Sequence, residues 1–246
     1  MRTAVIYSGQ ARTFARVYRN QYFHVLRKLP NPEFFICVAD DFQAKDMFDL
    51  REFFPEDRIH LEYVKQPTLP EPPDDPPFHN IYPRDKASIQ DVLRQLWALD
   101  RAYDFFCAAQ LNDPLLAPVK WDLVVRIRPD LAFGRFEFPS DFWSVAGMTS
   151  RCWTPYWARW GGVNDRLAVM GPQAALSYFR TFHNLPELRK LGCPLHPEQL
   201  IHASMREAGV QLKHTLPTEF ITVRLDGSFV PMSMTEIDKV EYARSR

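Results

Sequence analysis

The sequence predicts an α/β domain built from parallel β-α-β units. Three observations predict it. A short apolar run ending at a glycine opens the chain, a stretch with helical spacing follows it, and the same strand-then-helix alternation recurs through the first half of the 246 residues. No stretch reads as a linker and no period of ~20–50 residues repeats, so a single domain over 1–246 is expected rather than a solenoid.

Thr3–Ser8 is the first strand, stopped by Gly9. Over Ala11–Leu29, apolar residues recur at three- and four-residue steps (Phe14, Val17, Tyr18, Tyr22, Val25, Leu26, Leu29), the stripe of an amphipathic helix. Phe34–Ala39 and Ile59–Val64 are further strands, with a short helix expected over Asp46–Phe53. The prolines gathered in Pro67–Pro83 forbid helix or central strand there and predict a long surface loop, either covering a site or an inert excursion. Ser88 can cap a long helix from Ile89 to Gln110, whose apolar face would be Ile89, Val92, Leu93, Leu96, Leu99, Tyr103 and Phe106.

Trp121–Leu131 follows, β-branched and apolar at first, with Arg126, Arg128 and Asp130 at its end. Beyond it the sequence predicts a helical turn over Asp141–Val145, an irregular aromatic stretch Trp153–Trp160 and a strand Leu167–Met170. Helices at Pro172–Thr181 and Pro197–Ala208 each carry proline near the first turn, and Val210–His214 and Phe220–Leu225 are late strands. The tail after Met234 is polar and expected to fray.

Composition narrows the function. With 46% hydrophobic residues the chain can bury a sizeable core, and 30 basic against 30 acidic residues leave no excess for a dedicated nucleic-acid surface. The four cysteines form no C-x-x-C pair, so structural zinc is not expected and reduced thiols in a cytoplasmic protein are. The N-terminal apolar run is too short for a signal peptide, and no window of ~18 apolar residues predicts a membrane span. Any membrane contact would be made peripherally or through a partner.

Four constellations could carry chemistry. Ser8-Gly9-Gln10-Ala11-Arg12 joins the first strand to the first helix; glycine lets backbone approach a ligand, a helix N-terminus offers N–H groups, and Arg12 adds a donor fork suited to phosphate. The alternative is a tight turn with a surface arginine. Alternation along a strand would put Arg126, Arg128 and Asp130 on one face, a seat for a diphosphate with a carboxylate beside it for a divalent cation or a sugar hydroxyl, or else a salt-bridge ladder. Trp160-Gly161-Gly162-Val163-Asn164-Asp165-Arg166, preceded by Trp153, Tyr156 and Trp157, suits sugar recognition by stacking and short polar groups, or is an aromatic-pinned loop. Glu198, at a helix start, is either a first-turn acid favoured by the dipole or a general base. Lys86, before the long helix, could reach a phosphate or be a solvated cation, and His214 is a candidate metal or phosphate contact or a half-buried polar group.

Taken together and in this order, Ser-Gly-Gln-Ala-Arg-Thr-Phe, Lys-Ala-Ser before Gln-Leu-Trp-x-Leu (Lys86 to Leu99), Asp-Leu-Val-Val-Arg-Ile-Arg-Pro-Asp-Leu and Trp-Gly-Gly-Val-Asn-Asp-Arg resemble the GT-A-fold, glycosyltransferase-like proteins of algae, plants, large viruses and bacterial surface-polysaccharide loci. The resemblance spans roughly residues 3 to 215. It implies a Rossmann-like, mixed but mainly parallel central sheet flanked by helices, and transfer of a sugar from a nucleotide sugar to a glycan or other hydroxyl acceptor, in surface polysaccharide or glycan synthesis. The half to about residue 135 would hold the nucleotide, with Ser8, Gly9, Gln10, Arg12, Lys86, Arg126, Arg128 and Asp130 on the donor. The half from about 136 to 225 would hold sugar and acceptor, with Trp160, Gly161, Gly162, Asn164 and Asp165 in contact and Glu198 or Asp165 as base; residues 235–246 are the polar tail. Asp130 would stand in the metal-binding D-x-D, with Mn or Mg held by Asp130 and His214. Here the chain departs from the pattern, because Arg128-Pro129-Asp130 puts a base where the first acid belongs. A non-catalytic nucleotide- or glycan-binding relative is the alternative. A nucleotidyltransferase ranks third, since the first loop has one glycine and no lysine.

Overall fold

The computed structural model describes residues 1–40, 49–70, 89–138, 142 and 148–230. Within them β1 (Thr3–Gly9), α1 (Phe14–His24), β2 (Pro32–Ala39), β3 (Ile59–Val64), α2 (Ile89–Asn112), β4 (Leu123–Ile127) and β5 (Leu131–Phe136) are followed by β6 (Arg151–Pro155), β7 (Leu167–Met170), α3 (Pro172–Phe179), α4 (Leu185–Lys190), α5 (Pro197–Glu207), β8 (Gln211–Leu216), β9 (Thr218–Val223) and β10 (Phe229–Val230).

Seven strands form one sheet in the order β3-β2-β1-β4-β7-β6-β8. The first four run parallel, β7 is antiparallel to both β4 and β6, and β8 returns parallel to β6. This is the mixed, mainly parallel α/β sheet expected. A second sheet, β10-β9-β5, is antiparallel throughout.

Strand alternation divides the core in two. Ala4 and Ile6 of β1, Val124 of β4 and Ala168 of β7 pack with Leu96 and Leu99 of α2, Tyr178 of α3 and Ile201 of α5. Their neighbours Val5, Tyr7, Leu123, Val125 and Leu167 face the other way, onto Phe14 of α1 and Phe133 and Phe220 of the small sheet. Arg126 keeps the parity of Val124 and therefore enters the helical side.

The elements that sequence reasoning missed have physical reasons. β4 stops at Ile127 instead of running on to Asp130: Pro129 has no N–H to give a ladder, and Leu131 starts β5 in the other sheet. The buried amide of Gln21 in α1 holds this corner, donating to the Leu131 carbonyl at 2.8 Å and lying 3.3 Å from those of Arg128 and Pro129, while its oxygen accepts from the Tyr7 hydroxyl at 2.8 Å. Trp153, expected in an irregular stretch, lies in β6 and is fully buried against Phe142, rings 4.7 Å apart. Of the helix expected over Asp46–Phe53, residues 49–52 form a 3-10 turn and 46–48 lie outside the described residues. The Pro-rich segment from 71, Lys86, Ser88, the turn over Asp141–Val145 (save Phe142) and the tail lie outside the described residues.

Candidate active site

In the strand order, β1 leads to β2 on one side while β4 lies on its other side, so the chain reverses direction between β1 and β4. Open α/β sheets leave a crevice beyond the carboxyl ends of strands at such a switch point. A cavity of about 550 Å³ occupies this place. Its walls are Ser8 and Gly9 at the end of β1 with Gln10, Arg12 and Thr13 after it, Gln66 after β3, and Arg126, Arg128, Pro129 and Asp130 at the end of β4. The stripe Asp91, Arg94, Gln95 and Ala98 of α2 and residues 222–226, which end β9 and follow it, also line it.

The β1 turn leaves room for a ligand. Gly9 has φ of +106°, which side chains disfavour, and a Cβ there would meet nothing within 4 Å. Two buried polar atoms on the cavity wall have no hydrogen-bond partner among the described residues. They are Ser8 Oγ and Arg126 Nε, on side chains belonging to residues 1% and 3% exposed. Buried polar groups are nearly always paired, and an unpaired one costs about 1–3 kcal/mol. Arg126 Nη1 donates to the Arg166 carbonyl at 2.8 Å, and burial lowers its pKa.

Arg128 is clamped at both ends. Its backbone N–H donates to the Arg166 carbonyl at 3.1 Å, and its guanidinium forks onto Asp130, Nε to Oδ1 at 3.0 Å and Nη2 to Oδ2 at 2.5 Å. Burial pulls its pKa down, but the carboxylates of Asp130 and then Asp165 outweigh this and hold it above the ordinary arginine value. Arg126, Arg128 and Asp130 thus meet in one site, gathered by a turn rather than aligned along one strand face.

Behind the cavity floor lies a layer of buried carboxylates. Asp165, 3% exposed, accepts a hydrogen bond from the Gln95 side-chain amide, and its Oδ1 is 4.0 Å from Arg166 Nε. Burial alone would raise its pKa; the guanidiniums of Arg166, Arg128 and Arg126 reverse this and lower it. Glu198, 6% exposed at the start of α5, goes the other way, raised by burial and by the charge of Asp165, with His196 Nδ1 3.0 Å from its Oε2 opposing the shift. Two carboxyls with pKa values pushed apart are the arrangement from which acid and base roles are drawn. Neither lines the cavity, and Gln95 is the side chain that touches both cavity and carboxylate.

The Trp160–Asp165 loop serves to build this layer. Trp160 has φ of +48° and its carbonyl accepts from Gln199 Nε2 at 3.0 Å. A Cβ on Gly161 would sit 3.4 Å from that same Nε2, and one on Gly162 would fall 2.1 Å from the Glu198 carbonyl oxygen. Asn164, fully buried, donates to the Trp157 carbonyl at 2.9 Å and accepts from the Arg166 N–H at 3.0 Å. Of the residues expected to contact sugar, Gly161 and Gly162 lie here against α5, and Asn164 ties the loop to its own flanks at Trp157 and Arg166. Trp153 is core, and the Trp157 indole donates to the Thr218 carbonyl at 3.0 Å.

The resemblance implies a divalent cation, and the described residues do not fit one. A cation site needs carboxylate oxygens open to ligation, whereas both oxygens of Asp130 face Arg128. His214 sits on β8, three strands from β4 and so roughly 14 Å away at the usual spacing, with Nδ1 3.0 Å from Thr154 Oγ1 and its pKa pushed down to about 4 by burial and then by Arg159. Among the described residues no group of three or more His, Cys, Asp and Glu side chains comes together to hold a metal.

Gln95, Arg94, Arg224 and Gln21 escaped sequence reasoning. The α2 pair had a signal, since Asp91, Arg94, Gln95 and Ala98 form an i, i+3, i+4, i+7 stripe beside the apolar face. The others are brought in by long-range packing.

No helix among the described residues is long and apolar enough to cross a membrane. No family model matches the chain, and no curated protein matches it. Among solved structures, the chain is similar to mouse xyloside xylosyltransferase 1 in its apo form, over 87% of this chain and 84% of that one, with 8% identity and a TM-score of 0.37. It is also similar to the mannosyltransferase Ktr4p of S. cerevisiae, with 10% identity over 89% of this chain and 53% of that one, and to the same protein in complex with GDP, with 11% identity over 89% and 54%; both TM-scores are 0.30. The chain spans about half the length of that yeast protein. Likenesses this loose say nothing about chemistry, which has to come from the residues themselves.

Proposed function

We propose that the chain is a glycosyltransferase that seats a nucleotide-sugar donor in the cavity at the ends of β1 and β4 and passes the sugar to a hydroxyl acceptor. The observation that carries this reading is the pair of partnerless buried groups, Ser8 Oγ and Arg126 Nε, on neighbouring parallel strands and lining one cavity. Both await acceptor oxygens, and the phosphoryl oxygens of a diphosphate supply them. Arg128 stands beside them as a fixed cation.

In this reading the acceptor oxygen attacks the anomeric carbon as the carbon–oxygen bond to the diphosphate breaks. The negative charge gathering on the leaving diphosphate meets Arg126 and Arg128, whose placement before reaction lowers the barrier. The acceptor proton passes to a carboxylate. Glu198 is our choice, because its raised pKa suits a proton acceptor better than the depressed Asp165. Asp165 then serves as counter-ion to the arginines. Since neither lines the cavity, this role requires the 160–165 loop to part from α5 when substrate binds.

Thermal-shift and calorimetric screening against UDP, GDP and their sugars tests the reading; stabilisation grows with ligand concentration over Kd. Absence of any response to every nucleotide overturns it. The burial of both carboxylates behind the floor favours a second reading, a nucleotide- or glycan-binding module without turnover. Slow release of sugar from a bound donor, abolished in Glu198→Gln with binding retained, separates the two.

A further inference from the structure

We infer that Arg128 is the resident cation of this site, so that the diphosphate is bound and neutralised without a divalent metal. The inference rests on the donor-site reading above and deepens it.

The first ground is the character of the unsatisfied groups. A site built for a metal ion presents spare acceptor oxygens. Among the described residues, the unpartnered groups of this cavity are of the other kind. Arg126 Nε can only donate, Ser8 Oγ is a hydroxyl, and Asp130, two positions after Arg128, has both oxygens on a guanidinium. A ligand entering here meets N–H and O–H groups directly.

The second ground is rigidity. A metal neutralises a diphosphate well because it is a fixed charge, whereas a mobile arginine must first be ordered. Arg128 is already ordered, by its fork on Asp130, by its backbone bond to Arg166 and by Gln21 under the turn that carries it. Two of its N–H groups point at Asp130 and the others remain to donate.

The third ground is charge. The chain has no net charge, yet among the described residues five arginines line the cavity against three aspartates. Of those aspartates, Asp130 is engaged by Arg128, and Asp226 accepts from Ser228 N–H and Oγ within its own turn, at 2.8 and 2.6 Å. The positive excess meets the anion without help from an ion.

The test titrates UDP and GDP into the full chain by calorimetry, once in EDTA and once in excess MnCl2. The inference expects dissociation constants within about threefold of each other in the two buffers, and a loss of about tenfold or more in both for Arg128→Ala. Asp130→Asn removes the orienting partner of Arg128 and should weaken binding by the same factor in both buffers. If Arg128→Ala fails to fold by circular dichroism, Arg128→Lys, which keeps the charge and loses the fork, takes its place with the same expectation of an equal loss in both arms. Binding seen only with Mn²⁺, or a loss in Asp130→Asn confined to the Mn²⁺ arm, overturns the inference and leaves the donor site standing. No nucleotide binding in either buffer overturns the donor site and this inference together.

Discussion

The turn at Gly9 and the loop at Gly161-Gly162 look alike in sequence, each a short motif of glycine and polar residues, and the structure puts them to opposite uses. The space a side chain would need at Gly9 is open and faces the cavity, with nothing within 4 Å. At Gly162 that space is filled by the chain's own α5, whose Glu198 carbonyl oxygen is 2.1 Å from where a Cβ would stand. Glycine in the first case leaves room for a ligand, and in the second it lets a loop close over a buried pair of carboxyls. Motif composition alone does not separate the two.

The contrast can be broken by mutation. The largest effect is expected for Asp165→Asn. It leaves Arg126, Arg128 and Arg166 around a lost counter-charge, and breaking a buried ion cluster costs about 3–5 kcal/mol. Urea unfolding reads this directly; a loss below about 1 kcal/mol would mean that Asp165 is well solvated and the layer is not a closed one. Next comes Gly162→Ala, expected to cost about 3 kcal/mol because backbone, not a flexible side chain, stands in the way. Asn164→Ala removes two hydrogen bonds at a fully buried position and should cost about 1–3 kcal/mol with little change in nucleotide affinity. An affinity loss larger than the stability loss would return Asn164 to the ligand site. Gly9→Ala should cost only about 1 kcal/mol, from its positive φ, yet weaken nucleotide binding, the reverse of Gly162→Ala in proportion.

The smallest effect is one of sign. Asp165 has a lowered folded pKa, so its contribution to stability is present above the unfolded value of about 3.9 and is lost as pH falls through the folded value. Glu198 has a raised one, so its contribution is present below about 4.3 and is lost as pH rises through the folded value. Thermal unfolding of the variants across pH should therefore show opposite trends. Glu198→Gln gains on the wild type as pH rises, and the deficit of Asp165→Asn shrinks as pH falls. Parallel trends would show that the two carboxyls are not set against each other.

Much of the scaffold was legible in the chain. β3 and β7 fall where the apolar runs put them, and α2 begins at Ile89 and ends at Asn112, two residues past expectation. The switch point was less so. Arg126, Arg128 and Asp130 stood out because charge beside a buried strand needs a reason. Their meeting depends on the β4–β5 corner, and the sequence predicts one strand through to Leu131 with no element over 132–136, where β5 runs. Glu198 and Asp165 were both singled out, but not their juxtaposition, since 33 positions separate them and the contact is made through a glycine with no side chain to advertise it.

The sequence by itself determined the local elements, the α/β class and the unusual concentration of arginine after a buried strand, because periodicity and burial of apolar groups act over a few residues at a time. Only the tertiary structure decided which polar residues face a cavity and which face each other. That choice turns on strand order and on the close approach of distant backbone, at Gly162 on α5 and at Gln21 under the Arg128 turn. These are long-range contacts whose free energy comes from pairing buried polar groups, and no local pattern encodes the partner.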